Sequence, residues 1–276
     1  MHVESLIQED RRRKVREIAV ELDLPKSVVH EIVHDKLGFR KVSSRWVPKQ
    51  LSEQHKFHRM GISLQLLERY RGSDGDFLDN LITGDETWLH HTTPETKADS
   101  MTWKHPWSPT PRKFKVQLSA KKVMATVFWD AKGVLLVDIL PHGETINAVR
   151  YCKTMDRLRE AVRRKRPGLL QKGVVLLHDN ATPHTANLTQ EWFQRYGWEV
   201  LPHPPHSPDL APSDFHLFGP LKRHLSGKRF QSDDAVVAEV HTWLKSLDGN
   251  FFTEGILALV PRWDKCINLY GDYVEK

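Results

Sequence analysis

A run of five residues, Gly173 to Leu177, constrains this chain more than any other feature: it is apolar throughout, too short for a helix, and followed at once by His178-Asp179-Asn180. A strand without polar alternation is covered on both faces, so it belongs at the centre of a sheet flanked by helices. Such a sheet needs a sizeable core, and 276 residues with 39% hydrophobic content can supply one.

Other elements gather around this strand. Leu81-Ile82-Thr83 reads as a strand ending at Gly84-Asp85-Glu86. Lys122 to Asp130 and Val134 to Leu140 read as a hairpin turning at Ala131-Lys132-Gly133. Thr145 to Arg166 is expected as a long helix, Asn187 to Tyr196 as another, and Glu199-Val200-Leu201 as a short strand. A proline-rich loop spans Pro202 to Pro212, and helices follow to the end. A meander and hairpin, then strands alternating with helices, is by fold analogy the order of an α/β RNase H-like domain, expected over residues 77–276.

Residues 1–45 read as a small all-α region. Val15, Ile18, Ala19 and Leu22 recur at helical spacing, Asp23-Leu24-Pro25 breaks the pattern, and Val28, Val29, Ile32, Val33 and Leu37 form a second stripe before Gly38. This is the outline of a helix-turn-helix, with Ala19 small enough for the crossing and Ile18, Leu22, Leu24, Val29 and Ile32 as apolar anchors; a plain helical hairpin is the alternative. In the first reading Lys26, Ser27 and His30 open the helix that meets base edges, and Arg11, Arg12 and Arg13 reach the DNA backbone. Residues 46–76 read as a linker: Trp46-Val47-Pro48, a polar helix from Ser52 to Tyr70, and a break from Arg71 to Asp76.

A net charge of +6 favours a polyanionic partner, although a mildly basic metabolic enzyme has the same balance. Two distant cysteines, Cys152 and Cys266, build neither a disulfide framework nor a zinc site and suit a reducing compartment. The charged N-terminus is unlike a signal peptide, and no apolar run approaches the ~18 residues that span a bilayer, so a soluble protein without a membrane partner is expected. Among sixteen histidines, His178 with His184 and His203 with His206 match no standard zinc spacing. Arg163 to Arg166 reads as a nuclear-import signal, a DNA-backbone contact or a solvated helix end. Trp88, Trp129, Trp192 and Trp243 read as core; Trp103 and Trp107, among Pro106, Pro109 and Pro111, read as a partner surface.

Three aspartates stand where an active site needs them: Asp85 after the first strand, Asp179 after the buried strand, and Asp214 at a helix start past the proline-rich loop. Cleaving a phosphodiester places negative charge on the attacking, leaving and bridging oxygens, and two hard divalent cations held by carboxylates answer it. Each aspartate alone has a plainer reading, as a strand-end turn or a helix cap.

Thr83-Gly84-Asp85-Glu86-Thr87-Trp88, His178-Asp179-Asn180-Ala181-Thr182-Pro183-His184 and Ser207-Pro208-Asp209-Leu210-Ala211-Pro212-Ser213-Asp214-Phe215-His216-Leu217-Phe218 resemble the three signature blocks of mariner-type transposases, in the Tc1/mariner superfamily. The thirty-four residues between Asp179 and Asp214, and an aspartate in third place, match the mariner branch, and Trp46-Val47-Pro48 resembles its linker motif. The resemblance implies cut-and-paste DNA transposition: strand cleavage at transposon ends, then joining of the 3′-hydroxyl to target DNA at a TA dinucleotide. It implies Asp85, Asp179 and Asp214 as ligands of two Mg²⁺ or Mn²⁺ ions, double-stranded DNA with inverted repeats as partner, a homodimer, and the nucleus as location. Two departures accompany it. One helix-turn-helix is present where the family has two, with Arg11 to Lys14 read as the end of the segment joining them, and His206 stands at the family's usual tyrosine. The expected consequence is weak, salt-sensitive DNA binding with little sequence preference; the competing reading is a transposon relic that binds DNA or a partner without transposition. Replacing Asp179 with asparagine is expected to stop cleavage and to leave folding intact or improved.

Overall fold

The computed structural model describes residues 2–274 except 45, 74–75, 98–99, 111 and 114–115, so Arg45 at the first expected boundary, Asp74 and Gly75 of the expected break, and Pro111 lie outside the described residues. The chain forms two compact units, Met1–Val47 and Pro48–Lys276.

In the first unit, α1 (His2–Glu9) precedes α2 (Val15–Glu21) and α3 (Lys26–Glu31), which runs on into a π-turn over Ile32–Lys36. Val3, Ile18, Ala19, Val29 and Val33 form its core. Asp23, at φ 51, takes the left-handed conformation that this turn usually gives to glycine. The Leu24 amide donates to the Ala19 carbonyl at 2.9 Å. Leu24 and Val28, expected as buried, are instead exposed, because the three-helix core closes without them.

The second unit opens with α4 (Glu53–Gly72), capped by Ser52, and a short α5 (Asp76–Asp79). Residues Arg59, Ile62, Ser63, Leu66 and Leu67 of α4 are buried, a stripe at i, i+3, i+4, i+7 and i+8. Ile62, Leu66 and Leu67 join the main core, so the helix read as part of a linker belongs to the body of this unit. The sheet has strands β1 (Leu81–His90), β2 (Lys122–Asp130), β3 (Gly133–Ile139), β4 (Val175–Leu177) and β5 (Glu199–Val200) in the order β3-β2-β1-β4-β5. The first three strands pair antiparallel, and β4 and β5 add in parallel, as the sequence pattern requires. On one face lie α6 (Ala148–Lys165), a short α7 (Leu169–Lys172), α8 (Thr182–Thr185) and α9 (Asn187–Tyr196). On the other lie α4 and the C-terminal helices α10 (Gly219–Leu225), α11 (Asp233–Ser246), α12 (Gly249–Leu257) and α13 (Leu259–Asn268).

β1 sets the site. It continues past Asp85 to His90, paired residue by residue with β2, so Asp85 lies within a strand and not after one. Leu81 and Leu89 face the C-terminal helices, and Ile82 faces α6 and α9. Alternation therefore turns Asp85 toward the C-terminal helices and Glu86 toward α6 and α8. Gly84 lies opposite Phe128, whose ring would stand 2.2 Å from an added Cβ, so no side chain fits beside Asp85. The same alternation corrects one core expectation: Leu89 is buried, but Trp88 is 40% exposed, with the Lys122 ammonium 4.0 Å from its ring centroid. Trp129, Trp192 and Trp243 are buried, whereas Trp46, Trp103 and Trp107 are exposed. Among the described residues no helix is long and apolar enough to cross a membrane.

Candidate active site

Asp85, Asp179 and Asp214 arrive from three directions. Asp179 follows β4 directly, since His178 is buried against α6 and ends the apolar run. Asp214 lies in a π-turn, Ser213–Phe218, that leads into α10. The turn is tied to the sheet by the Trp129 indole, which donates to the Ser213 hydroxyl at 3.1 Å. Asp85 and Asp214 meet side chain to side chain, and both feel the charge of Asp179. Burial, then the neighbouring Asp214, raises the Asp85 carboxyl to about 8. Lost hydration also raises Asp214, while its contact with Asp85 and the nearby Lys222 ammonium work against the rise.

Asp179 behaves oppositely. Its partial burial favours the neutral form, but hydrogen bonds from His184 Nδ1 (2.7 Å) and the Ala181 amide (3.0 Å) outweigh this and hold it at about 2. Burial disfavours charge on His184, yet its hydrogen bond to Asp179 and the nearby Glu86 carboxylate raise it to about 9. His184 is 2% exposed, with its Nε2 3.6 Å from Glu86. Glu86 also accepts from the Thr126 hydroxyl at 3.2 Å. Behind them the Tyr151 hydroxyl bonds His178 Nδ1 at 2.6 Å, and burial keeps His178 neutral, at about 3. The pair His178 and His184, considered for zinc, is instead a stack of rings 4.8 Å apart. Among the described residues no three acidic, histidine or cysteine side chains are already gathered as a metal cage, Asp179 being drawn to His184.

The carboxyl chemistry fits hard divalent cations all the same. Asp85 and Asp214 lie together, with Asp179 within electrostatic reach of both, and burial holds a proton on Asp85 to about pH 8. This makes a prediction for the metal-free chain. The folded Asp85 keeps a proton that the unfolded chain loses near pH 4, so stability falls as pH rises from about 4 to about 8. His184, raised to about 9, adds a loss from about pH 6.5 upward. Buried His178 (held at about 3) and His203 (at about 4) work the other way below about pH 6.5, so thermal melts from pH 6.5 to 8 in EDTA should show a falling Tm, flatter in Asp85→Asn and offset by Mn²⁺. A Tm that rises with pH in the wild-type chain would contradict the crowding of these carboxyls.

Sequence reasoning does not single out Glu86, Tyr151 or Arg59, and it raises His184 only as half of a zinc pair whose spacing fits no standard set. His184 and Glu86 stood inside the quoted blocks, and Arg59 sits at a core position of the α4 stripe, a placement that itself flags an arginine. In the first unit, Lys26 and Ser27 begin α3 and are exposed with His30, whose ring lies 4.3 Å from His34. Arg11 and Arg12 are exposed in the α1–α2 turn, whereas Arg13 is paired with Glu9 at 3.6 Å and with Glu21. Of the basic run, Arg166 bonds Asp130 (2.6 and 2.8 Å) and Lys165 donates to the Val134 and Leu135 carbonyls, so both turn back on the sheet. His206 is exposed at φ 56, with its carbonyl held by the Tyr273 hydroxyl at 3.1 Å.

A mixed five-stranded sheet, helices on both faces and carboxyls on its central strands define an RNase H-like nuclease or strand transferase. Comparisons with known proteins then narrow the class. Residues 93–172 match the family described as Transposase (partial DDE domain). The Mariner Mos1 transposase of Drosophila mauritiana is 35% identical over 275 residues, 99% of this chain and 78% of that protein. The histone-lysine N-methyltransferase SETMAR of Homo sapiens is 35% identical over 98% of this chain, which spans 39% of it. Among solved structures, the Mos1 mariner paired end complex with Mn matches at TM-score 0.83 and 36% identity, covering 99% of this chain and 79% of that one. The catalytic domain of Mos1 mariner transposase matches at TM-score 0.70 and 36% identity, over 83% of this chain and all of that one. The chain belongs to the mariner family of cut-and-paste DNA transposases.

Proposed function

We propose that the chain cleaves the DNA at transposon ends and joins the freed 3′-hydroxyl to target DNA, with Asp85, Asp179 and Asp214 as ligands of two Mg²⁺ or Mn²⁺ ions. The convergence of Asp85 and Asp214 within range of Asp179 carries this reading. When bound, such a pair supplies a nucleophile activated near neutral pH and charge neutralisation at the leaving oxygen. The residues of the chain do the rest. Asp85 gives up the proton it holds in the crowded cleft. His184 keeps Asp179 ionised and fixes its rotamer, while Glu86 compensates the charge of His184. Neutral His178 and Tyr151 wall off the site from the α6 side. Related Mos1 structures with Mn and with Mg, and in paired-end form, support divalent metal, transposon-end DNA and a dimer as the working assembly. In this reading the reaction takes place in the nucleus. The test is nicking of supercoiled plasmid by the purified chain in Mg²⁺ or Mn²⁺. Nicking that persists in EDTA would sink it.

Lys26, Ser27 and His30 are proposed to meet base edges, and Arg11 and Arg12 to meet phosphates; Arg13, engaged with two glutamates, is the weaker contributor. Removing Arg11 and Arg12 together should lower the slope of log affinity against log salt by about 2 without changing sequence preference. Fluorescence anisotropy at several salt concentrations measures this, and an unchanged slope would remove both residues from the interface.

A further inference from the structure

Arg59 is 0% exposed, 150 residues from its ion-pair partner in sequence, and lies outside all three signature blocks. Its Nη1 and Nη2 make a fork onto Asp209 Oδ1 and Oδ2 at 2.9 and 2.6 Å. Nη1 also donates to the Ser207 hydroxyl at 2.6 Å, Nε to the Gly271 carbonyl at 2.8 Å, and Nη2 to the Asp272 carbonyl at 3.2 Å. Burial on this scale persists only when charge and donors are both answered.

The network reaches Asp214 by a short path. Asp209 is the middle residue of the 3-10 turn Pro208–Leu210. Two residues on, the Ala211 carbonyl accepts the amides of Asp214 and Phe215, each at 3.0 Å, so the turn that aims Asp214 is built on the end of the clamped segment. Arg262 closes the other side: it donates to the Asp209 carbonyl at 3.0 Å and stacks 4.0 Å over the Phe215 ring. The tail is pinned as well, since the Val274 amide donates to Asp209 Oδ2 at 2.7 Å.

We propose that Arg59 is a positioning residue for Asp214: through Asp209 it fixes the turn from which that carboxylate reaches the metal site. The inference rests on the metal-site reading above. A buried group that orients a ligand at second hand tunes metal affinity, whereas a purely structural clamp changes stability alone.

The experiment is Mn²⁺ binding by the full chain, followed by the electron paramagnetic resonance of free Mn²⁺, with circular-dichroism melts to select a temperature at which each variant is folded. Arg59→Lys keeps the charge but loses the fork, and Asp209→Asn keeps the shape but loses the charge. Each should raise half-saturating Mn²⁺ by roughly tenfold, the low end of the range for outer partners of metal ligands. Asp214→Asn, as the reference, should lose at least one bound ion. Folded Arg59→Lys and Asp209→Asn chains with wild-type Mn²⁺ affinity would overturn the proposal while leaving the metal site standing. If Arg59→Lys does not fold, Asp209→Asn decides by the same criterion. Wild-type chain that binds no Mn²⁺ would overturn the metal reading itself, and this inference with it.

Discussion

The Asp85→Asn chain is expected to nick plasmid in Mg²⁺ at least about 10³-fold more slowly than wild type, because the stabilisation that a metal lends a phosphoryl transition state is worth several kcal/mol. Its metal-free fold should nonetheless be more stable than wild type at pH 7, since a carboxyl that burial and Asp214 raise to about 8 must take up a proton on folding at that pH, which asparagine need not. Asp179→Asn should lose cleavage to a similar degree and move stability the other way. Asp179 is held at about 2 by His184, so its charge contributes to folding above pH 4, and the half-exposed side chain loses much of that contribution to solvent screening. Asparagine can still accept from His184 but leaves it without its charged partner, at a cost of about 1 kcal/mol. This differs from the expectation from sequence that Asp179→Asn folds as well or better: relief of carboxylate crowding is expected at Asp85 instead. Paired cleavage assays and melts decide it. Equal nicking by wild type and both variants would remove these aspartates from the reaction.

Arg59→Met should cost about 3–5 kcal/mol of stability, the usual cost of leaving one member of a buried ion pair uncompensated. For a unit of this size that corresponds to a Tm lower by roughly 10 °C. Adding Asp209→Leu should recover part of the loss, since an apolar pair of similar volume often replaces a buried ion pair at little cost. Urea denaturation of the single and double variants gives the coupling between the two sites. A loss below about 1 kcal/mol for Arg59→Met would mean that the pair is hydrated and the clamp weak.

These cases show what could be read from sequence and what could not. The hairpin of β2 and β3, the helix Asn187–Tyr196 and the buried β4 followed from local patterning, since periodicity and turn residues act over a few positions. The three candidate aspartates stand out by their places at strand ends and a helix start and by the blocks around them. Asp85 was placed after a strand because Gly84-Asp85-Glu86 has the look of a turn; the ten-residue β1 exists because β2 pairs with it as far as His90, a contact between distant segments. The helix at 53–72 passed for a linker because its buried stripe includes Arg59 and Ser63, and polarity hid the face. The partner that makes a core arginine acceptable, Asp209, is too far along the chain for any window to see.

The same separation sets an order of events during synthesis. Arg59 leaves the ribosome more than two hundred residues before two of its acceptors, the carbonyls of Gly271 and Asp272. Gly271 itself, at φ 80, lies so close to the Lys56 carbonyl that an added Cβ would stand 2.0 Å from that oxygen, so the tail seats tightly against the start of α4. Until residue 272 has emerged, the clamp stays open and the turn that aims Asp214 lacks its support. A nascent chain thus completes its first unit long before the support of the Asp214 turn can close.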